Sequence, residues 1–427
     1  MAAVMTGTEK IYYLKQLSPM LHFQFGDRNA TLRATELKPK LDRFIEKWMA
    51  RNKRNLPSDW RMKNSSETKL DPGGKEKKNT ALNYRVRILN PEGNIVYEPK
   101  RDMPYFGNMG DNVEKKMCVT AKSLIELHIR CYIRELMDLI DECLPVFFLT
   151  VNFGTRQDKG FGSFVLCGDD GSPLHRRAEN EKLLTDWYGK NKVYCIRYKR
   201  ATSDQEILSD INTVYMLLKS GINIKSVYLK SYLMLFFADK SIDWEKKSLK
   251  QRGIAPVVYD KERDEPAPPG PEERYVRGLL GVGDQQQWFS DDGNHRKKIT
   301  RKITRHNRDG KPVYQRETIS INAQNRDIER VPSPLIFKII ENSVYILPGG
   351  IDSAVPGSWF TFENEAGNTV DLQIPSADEF DLDDIMSGFK DRINSQKVKT
   401  EFEKRWVEQR PVFIRQGCRM EVLGDRP

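Results

Sequence analysis

Apolar residues recur along this chain in two periods, and the switches between them lay out its elements. From Thr35 to Met49 they fall at Leu37, Leu41, Phe44, Ile45 and Trp48, the one-face stripe of an amphipathic helix. Thr35 stands where an N-cap belongs, with Lys38-Pro39 in the first turn. From Ser123 to Cys131 they alternate, with Ile125, Leu127, Ile129 and Cys131 against Glu126, His128 and Arg130. That spacing predicts a strand, with a helix as the alternative because helical spacing follows at once. Ile133 to Val151 carries Leu136, Met137, Ile140, Leu144 and Phe147 on one stripe and predicts a second helix, which Pro145 should kink or interrupt. Met20 to Phe25 is short and apolar and reads as a first strand. Tyr84 to Leu89 and Asn94 to Tyr97 flank Asn90-Pro91-Glu92-Gly93, a hairpin signal. Ser163 to Leu166 reads as a closing strand. Strand, helix, two or more strands, helix and strand is the order of a ferredoxin-like βαββαβ domain, with polar Arg51 to Thr80 as a long loop or finger inserted in it.

The turn at Gly168 to Ser172 is a candidate boundary. Beyond it, Val193 to Tyr198 is strand-like, and Ser203 to Lys219 is a helix capped by Ser203 or Asp204 and ended by Gly221. Residues 260–273, rich in proline and charge, form a linker or exposed loop. Leu335 to Ile340 and Val344 to Leu347 form a hairpin through Glu341-Asn342-Ser343, Ser376 to Ile393 is a helix with an acidic start, and Phe402 to Trp406 belongs to a last one. The expected fold class is α+β: a ferredoxin-like (RRM-like) domain over residues 1–170, followed by a second, degenerate ferredoxin-like domain over 171–427 that carries a basic loop and C-terminal helices. The halves show no clear self-similarity.

Composition narrows the function. The chain has 427 residues, 38% hydrophobic and 30% charged, which is globular with sizeable polar loops, and a formal net charge of +10, which suits a polyanionic partner. Its six cysteines, at 118, 131, 143, 167, 195 and 418, are scattered without CxxC or Cys/His ligand spacing, so neither a zinc site nor another metal or cofactor is expected. The start has no signal-peptide pattern, and the longest apolar run, Leu144 to Val151, is far too short to cross a bilayer. A cytoplasmic protein with reduced thiols and no membrane partner is the expectation.

The candidate chemistry concentrates in Asn152-Phe153-Gly154-Thr155-Arg156-Gln157-Asp158-Lys159-Gly160-Phe161-Gly162-Ser163-Phe164. Gly154, Gly160 and Gly162 permit positive φ and close backbone approach, Arg156 and Lys159 add charge, and Phe153 and Phe161 offer rings to bases or to the core. It is not a Walker A loop, since no Gly-Lys-Ser/Thr follows Gly160. It is not a dinucleotide fingerprint either, because Val165 stands where the third glycine belongs. A loop for single-stranded nucleic acid and an ordinary glycine-rich turn remain.

The string GTRQDKGFGSF, after its apolar lead-in, resembles the glycine-rich loop of the RAMP superfamily, the RRM-like subunits of CRISPR effector complexes, and most of all the RAMP subunit capping type III-B effectors. Ser18 to Phe23 with Leu32 to Phe44 is similar to that family's opening strand and first helix, and Ile328 to Lys338 to a strand near its end. Asp158 in the loop and Pro39 after Lys38 depart from the family pattern. The resemblance implies an RNA-binding subunit of an antiviral ribonucleoprotein, with guide or target RNA and other RAMP-type subunits as partners. It points to Arg33, Lys38, Gly154, Arg156, Lys159, Gly160, Phe161 and Gly162 as RNA-contacting positions; for Arg33 and Lys38 a salt bridge is the rival reading.

His295 to Arg316 is the most basic segment, with Arg296, Lys297, Lys298, Arg301, Lys302 and Arg305 leading nine cations against Asp309 alone. It reads as an RNA-backbone clamp or as a solvated charged loop. Some RAMP proteins cleave RNA without metal through a histidine, and others through a loop aspartate; His22, His128 and Asp111 are the candidates for such an endoribonuclease, each with a structural role as the commoner alternative. A subunit that only assembles with its neighbours is the third possibility.

Overall fold

The computed structural model describes residues 4–6, 8–21, 31–62, 81–91, 93–99, 117–224, 227–245, 248–249, 252–254, 272–282, 285–289, 316–325, 328, 331–405 and 410–424. The first unit consists of β1 (Glu9–Gln16), α1 (Ala34–Arg51), β2 (Tyr84–Leu89), β3 (Ile125–Cys131), α2 (Arg134–Thr150) and β4 (Phe164–Cys167). Its sheet runs β2-β3-β1-β4 and every pair is antiparallel. That is the strand order of a ferredoxin-like βαββαβ fold. One face is the core: Tyr12 and Leu14 of β1 and Ile125, Leu127 and Ile129 of β3 pack beneath Leu37, Leu41 and Ile45 of α1 and Leu136, Ile140 and Phe147 of α2. Lys10 and Tyr12 also donate hydrogen bonds from this face to Asp141 of α2.

Four sequence expectations are corrected by the structure. A short strand, Val4–Thr6, pairs along the edge of β1 as a fifth member of the sheet, and the unit's first long strand is Glu9–Gln16, not Met20 to Phe25, of which residues 22–25 lie outside the described residues. Ile11, Tyr12, Tyr13 and Leu14 are apolar in succession, which hides the alternation, whereas Met20–Leu21 forms a short strand in a separate sheet with Met117–Ala121 and Ile95–Pro99. The hairpin expected across Asn90 to Gly93 does not form: β2 pairs with β3, and Ile95–Pro99 pairs with Met117–Ala121. Asn94 fixes that second course by accepting from Ser123 N at 2.6 Å while its carbonyl accepts from Lys122 N at 2.9 Å. α1 begins at Ala34, with Arg33 at the N-cap and no side-chain cap, so Thr35 lies inside the helix. α2 is not interrupted at Pro145 but continues to Thr150, with Val146, Phe147, Phe148 and Leu149 buried. Burying each such side chain is worth about 1.5–3 kcal/mol, enough together to exceed the roughly 3 kcal/mol that an interior proline costs.

α3 (Arg177–Tyr188) leads to the second unit: β5 (Tyr194–Arg197), α4 (Asp204–Lys219), β6 (Leu335–Ile340), β7 (Ser343–Pro348), α5 (Leu382–Asn394) and β8 (Met420–Val422). Its sheet runs β6-β7-β5-β8, again all antiparallel, so the order of the first unit is repeated in shorter strands. The hairpin β6–β7 and the Ser203 cap of α4 form as the sequence indicates, the Ser203 side chain accepting from Glu206 N. Between α4 and β8 the chain inserts a further antiparallel sheet of Gln285–Phe289, Arg316–Ala323, Trp359–Asn364 and Thr369–Gln373. Both faces of the second sheet are covered. Tyr194 and Ile196 pack under Ile207, Leu208 and Ile211 of α4. Cys195, Tyr345 and Leu347 pack under Leu184 of α3 and Leu149 of α2. Its outer strand β8 is capped by Asn394, which donates to Met420 O at 2.8 Å and accepts from Met420 N at 2.9 Å. All six cysteines are buried thiols, and among the described residues no helix is long and apolar enough to cross a membrane.

Buried Asp210 of α4 ties the chain's last segment to this unit by accepting from Val412 N (2.9 Å), Phe413 N (2.8 Å) and Tyr198 Oη (3.1 Å). Asp210→Ala leaves those donors unsatisfied and should cost roughly 2 kcal/mol or more in urea unfolding. Burial pushes this carboxyl up to about 6, partly offset by the bonds it accepts. A folded pKa above the unfolded value adds stability that is fully present below the unfolded pKa and is lost as pH rises through the folded one. The loss on Asp210→Ala should therefore be larger near pH 5 than near pH 7.

Candidate nucleic-acid interface

The glycine-rich loop joins α2 to β4. Its base closes as a short ladder: Asn152 bridges to Ser163, and Phe153 N donates to Gly162 O at 2.9 Å. Gly162 makes that closure possible. It has φ +68°, and a Cβ there would stand 1.9 Å from Phe153 O. The stretch after β1 laces the loop from one side, with Gly162 N donating to Pro19 O, Ser18 Oγ to Gly160 O, and Thr155 N to Leu21 O. α1 holds it from another. Glu36 accepts from Gly154 N at 2.8 Å, and Lys40 Nζ donates to Glu36 at 2.7 Å, Asn152 O at 2.9 Å and Gln157 Oε1 at 2.5 Å.

The third side of the loop is the second unit. Asn152 Nδ2 donates to Phe337 O at 2.8 Å, Phe337 N to Asp158 O at 3.1 Å, and Ser163 Oγ to Ile339 O at 2.6 Å. In return, Lys338 of β6 reaches back and donates to Val151 O at 2.8 Å and Phe164 O at 3.2 Å. Gly160 lies against α4, where a Cβ would come within 2.7 Å of Ile211 Cδ1. Lys159 points inward: its Nζ sits 3.1 Å above the Tyr215 ring and 3.1 Å from Asp158, without the alignment of a hydrogen bond to it. Beside it, half-buried Lys219 donates to Leu280 O at 3.1 Å and Gly281 O at 2.6 Å. Burial drives all three amines down. Lys338 falls well below its ordinary value. Lys159 falls to about 8 against the opposing charge of Asp158, and Lys219 to about 7 with Lys159 and Arg277 adding to the effect.

The candidate residues therefore divide. Phe153 and Phe161 are fully buried, Phe153 against Phe147, Phe148 and Phe164. Lys159 and Phe161 thus have their side chains inside the molecule. The loop surface is Gly154 to Asp158, with Arg156 half-exposed at φ +56°. The Glu36 contact brings the start of α1, with half-exposed Arg33, to that same surface. Lys38 points away from it, donating to Asp42 at 2.8 Å and Leu82 O at 3.0 Å with its Nζ over the Tyr84 ring. His128 is on β3, 2.9 Å from Glu126 and 3.4 Å from Glu9. Arg296, Lys297, Lys298, Arg301, Lys302, Arg305, His22 and Asp111 lie outside the described residues. Lys40, Ser18, Asn152 and Lys338 serve the loop; all four lie in stretches that the sequence singled out, but none of them was named as a contact there. Lys338 has a signal, a lone cation inside the apolar run Leu335 to Ile340, and so does Lys40, four residues after Glu36.

The family model described as the Cmr1 N-terminal domain matches residues 8–222, and that described as the Cmr1 C-terminal domain matches residues 228–412. Among solved structures, the apo form of Cmr1 from Pyrococcus furiosus is similar at 8% identity and a TM-score of 0.32, covering 81% of this chain and 89% of that one. At that level the architecture rests on the strand pairing alone. No curated protein matches.

Gly162→Ala should destabilise the protein by more than about 3 kcal/mol, since it adds both a backbone clash and an unfavourable φ; a melting temperature near wild type would contradict the closure described. A lysine depressed in the folded state makes stability rise with pH from its folded pKa toward its unfolded one. The wild type should gain stability between about pH 7 and pH 9 on account of Lys159 and Lys219. Lys219→Met should flatten that rise by up to about 1.4 kcal/mol per pH unit, read from denaturant midpoints.

Proposed function

The chain belongs to the Cmr1 family, and from that premise we propose that it is a non-catalytic, cytoplasmic RNA-binding subunit of a type III-B CRISPR effector complex. It holds guide or target RNA through the sugar–phosphate backbone and leaves sequence reading to base pairing. The family match carries this reading. The exposed corner where Arg156, the backbone of Gly154 and Thr155, and the Arg33 end of α1 meet supports it with residues. The net charge of +10 and the basic segment holding Arg296, Lys297, Lys298, Arg301, Lys302 and Arg305 support it with charge. Lys159, Gly160, Phe161 and Gly162 serve the site by fixing the loop, while Lys38 holds α1 to Leu82 and Tyr84 away from it. The domain division at 170/171 is part of the same reading: β4 completes one sheet at Cys167 and β5 opens the next at Tyr194, whereas the matched segments divide after residue 222.

A second reading has one observation in its favour. The loop spends a cation and two rings inside the protein, as a part built for assembly with neighbouring subunits would. Arg33→Gln with Arg156→Asn separates the two, asparagine being chosen because it tolerates the left-handed backbone at position 156. RNA holding predicts weaker binding of single-stranded RNA and a log–log salt slope shallower by about 0.7 for each phosphate that is no longer neutralised. Unchanged affinity and slope, with weakened subunit association, would establish the assembly role instead.

A further inference from the structure

The two βαββαβ sheets differ in what covers the face away from their core helices. In the second unit that face is closed by α3 and the end of α2. In the first unit β4 is covered there, with Cys167 buried and Val165 packed against the core around Leu149 and Leu184, but no described element packs over the rows that β1 shares with β3 and β2. Strand register arranges its side chains in rows: Glu9, Arg130 and Arg85; then Ile11, His128 and Arg87; then Tyr13, Glu126 and Leu89. Ile11 and Tyr13 are half-exposed in the middle of the sheet and join neither packed core. The carboxylates on this face are occupied: Glu9 pairs with Arg130 at 3.1 Å and faces His128, and Glu126 contacts His128 at 2.9 Å. Arg85 and Arg87 are exposed and make no ion pair among the described residues, and Lys15 at the far end is exposed as well. Tyr132, 77% exposed, stands beside Arg130 where β3 ends.

We propose that this uncovered sheet face is a second nucleic-acid surface, on which a single-stranded RNA segment stacks bases on Tyr13 and Tyr132 and sets phosphates against Arg85 and Arg87. The inference rests on the reading of the chain as an RNA-binding subunit and adds a site distinct from the loop tip. Three observations select this occupant. Cations left over after the carboxylates are paired call for an anion. The half-exposed Tyr13 ring on the central strand and the exposed Tyr132 ring at its neighbour's end offer stacking that is indifferent to base identity. Arg85 and Arg87 lie two residues apart on an edge strand, about 6.6 Å along it, which presents charge in a line suited to an extended backbone. An acidic protein surface would use the cations but leaves the rings without a role.

The test uses the full chain and an unstructured fluorescent oligoribonucleotide, with affinity measured by anisotropy over a range of salt. Arg85→Ala with Arg87→Ala should weaken binding and shallow the log–log salt slope by about 1.4, the value for two phosphates of a single strand. Tyr13→Ala should weaken binding roughly five- to a hundredfold, the range for one unstacked base, with little change of slope, and Tyr13→Phe should restore it. A thiouridine-bearing RNA irradiated on the wild type should crosslink to Tyr13 or Tyr132. Wild-type affinity and slope in the arginine variant, together with crosslinks elsewhere, would overturn the inference. If that variant instead loses subunit association at unchanged RNA affinity, the face docks protein and the inference is again overturned. Loss of binding in the Arg33/Arg156 variant alone would leave the RNA-binding reading standing without this second surface. A wild type with no RNA affinity would remove both.

Discussion

The orientation of one βαββαβ unit on the other depends on a splice of hydrogen bonds in which a backbone atom always stands on one side. Asn152 and Ser163 donate to the carbonyls of Phe337 and Ile339, and Lys338 donates to those of Val151 and Phe164. Bonds of this kind do not depend on which side chain stands opposite, so they fix the register of loop against strand rather than a pairing of charges. Among the described residues Lys338 has no carboxylate partner to compensate a buried positive charge. Burial therefore favours its neutral amine, which keeps both donated bonds without the several kcal/mol that an isolated buried ion costs. The glycines follow from the same splice, because Gly160 and Gly162 are where backbone and helix approach too closely for a side chain.

The splice also decides which surfaces remain for function. It turns Lys159 and Phe161 inward and leaves the stretch from Gly154 to Asp158 outside, next to the start of α1. α3 then folds over the back of the second sheet and contributes Leu184 to a small core there, whereas over the outer rows of β1, β2 and β3 in the first unit none of the described elements packs. One architecture used twice thus gives one sheet built for packing and another whose outer rows carry arginine, tyrosine and histidine.

Much of the frame was legible in the chain. Ser123 to Cys131 alternates because one face meets helices and the other meets none of the described elements, and Ser203 to Lys219 reads as a helix because its stripe and its cap agree. What the pattern concealed has physical causes. β1 is apolar on both faces at Ile11 to Leu14, so its period vanishes. Ile95–Pro99 takes its partner from Met117–Ala121, beyond the reach of a local turn, which the turn chemistry at Asn90 to Gly93 does not encode. The loop announced itself through its glycines, yet its composition could not separate a cation aimed at a ligand from one aimed at Tyr215. That distinction is made by α4 and β6, which join the loop only in three dimensions.

The loop and its partners are also far apart in time. Asn152 waits for Phe337, 185 residues later, before its cross-unit bond can form. At ~5–20 residues per second of synthesis that interval is roughly 10–40 s. The first sheet has all its strands by Cys167, and α4 soon gives Lys159 and Phe161 a surface to turn in against, because Ile211 and Tyr215 are made well before Phe337. The loop's cross-unit hydrogen bonds come later: until β6 is made, Asn152 and Ser163 hold donors whose final acceptors do not yet exist.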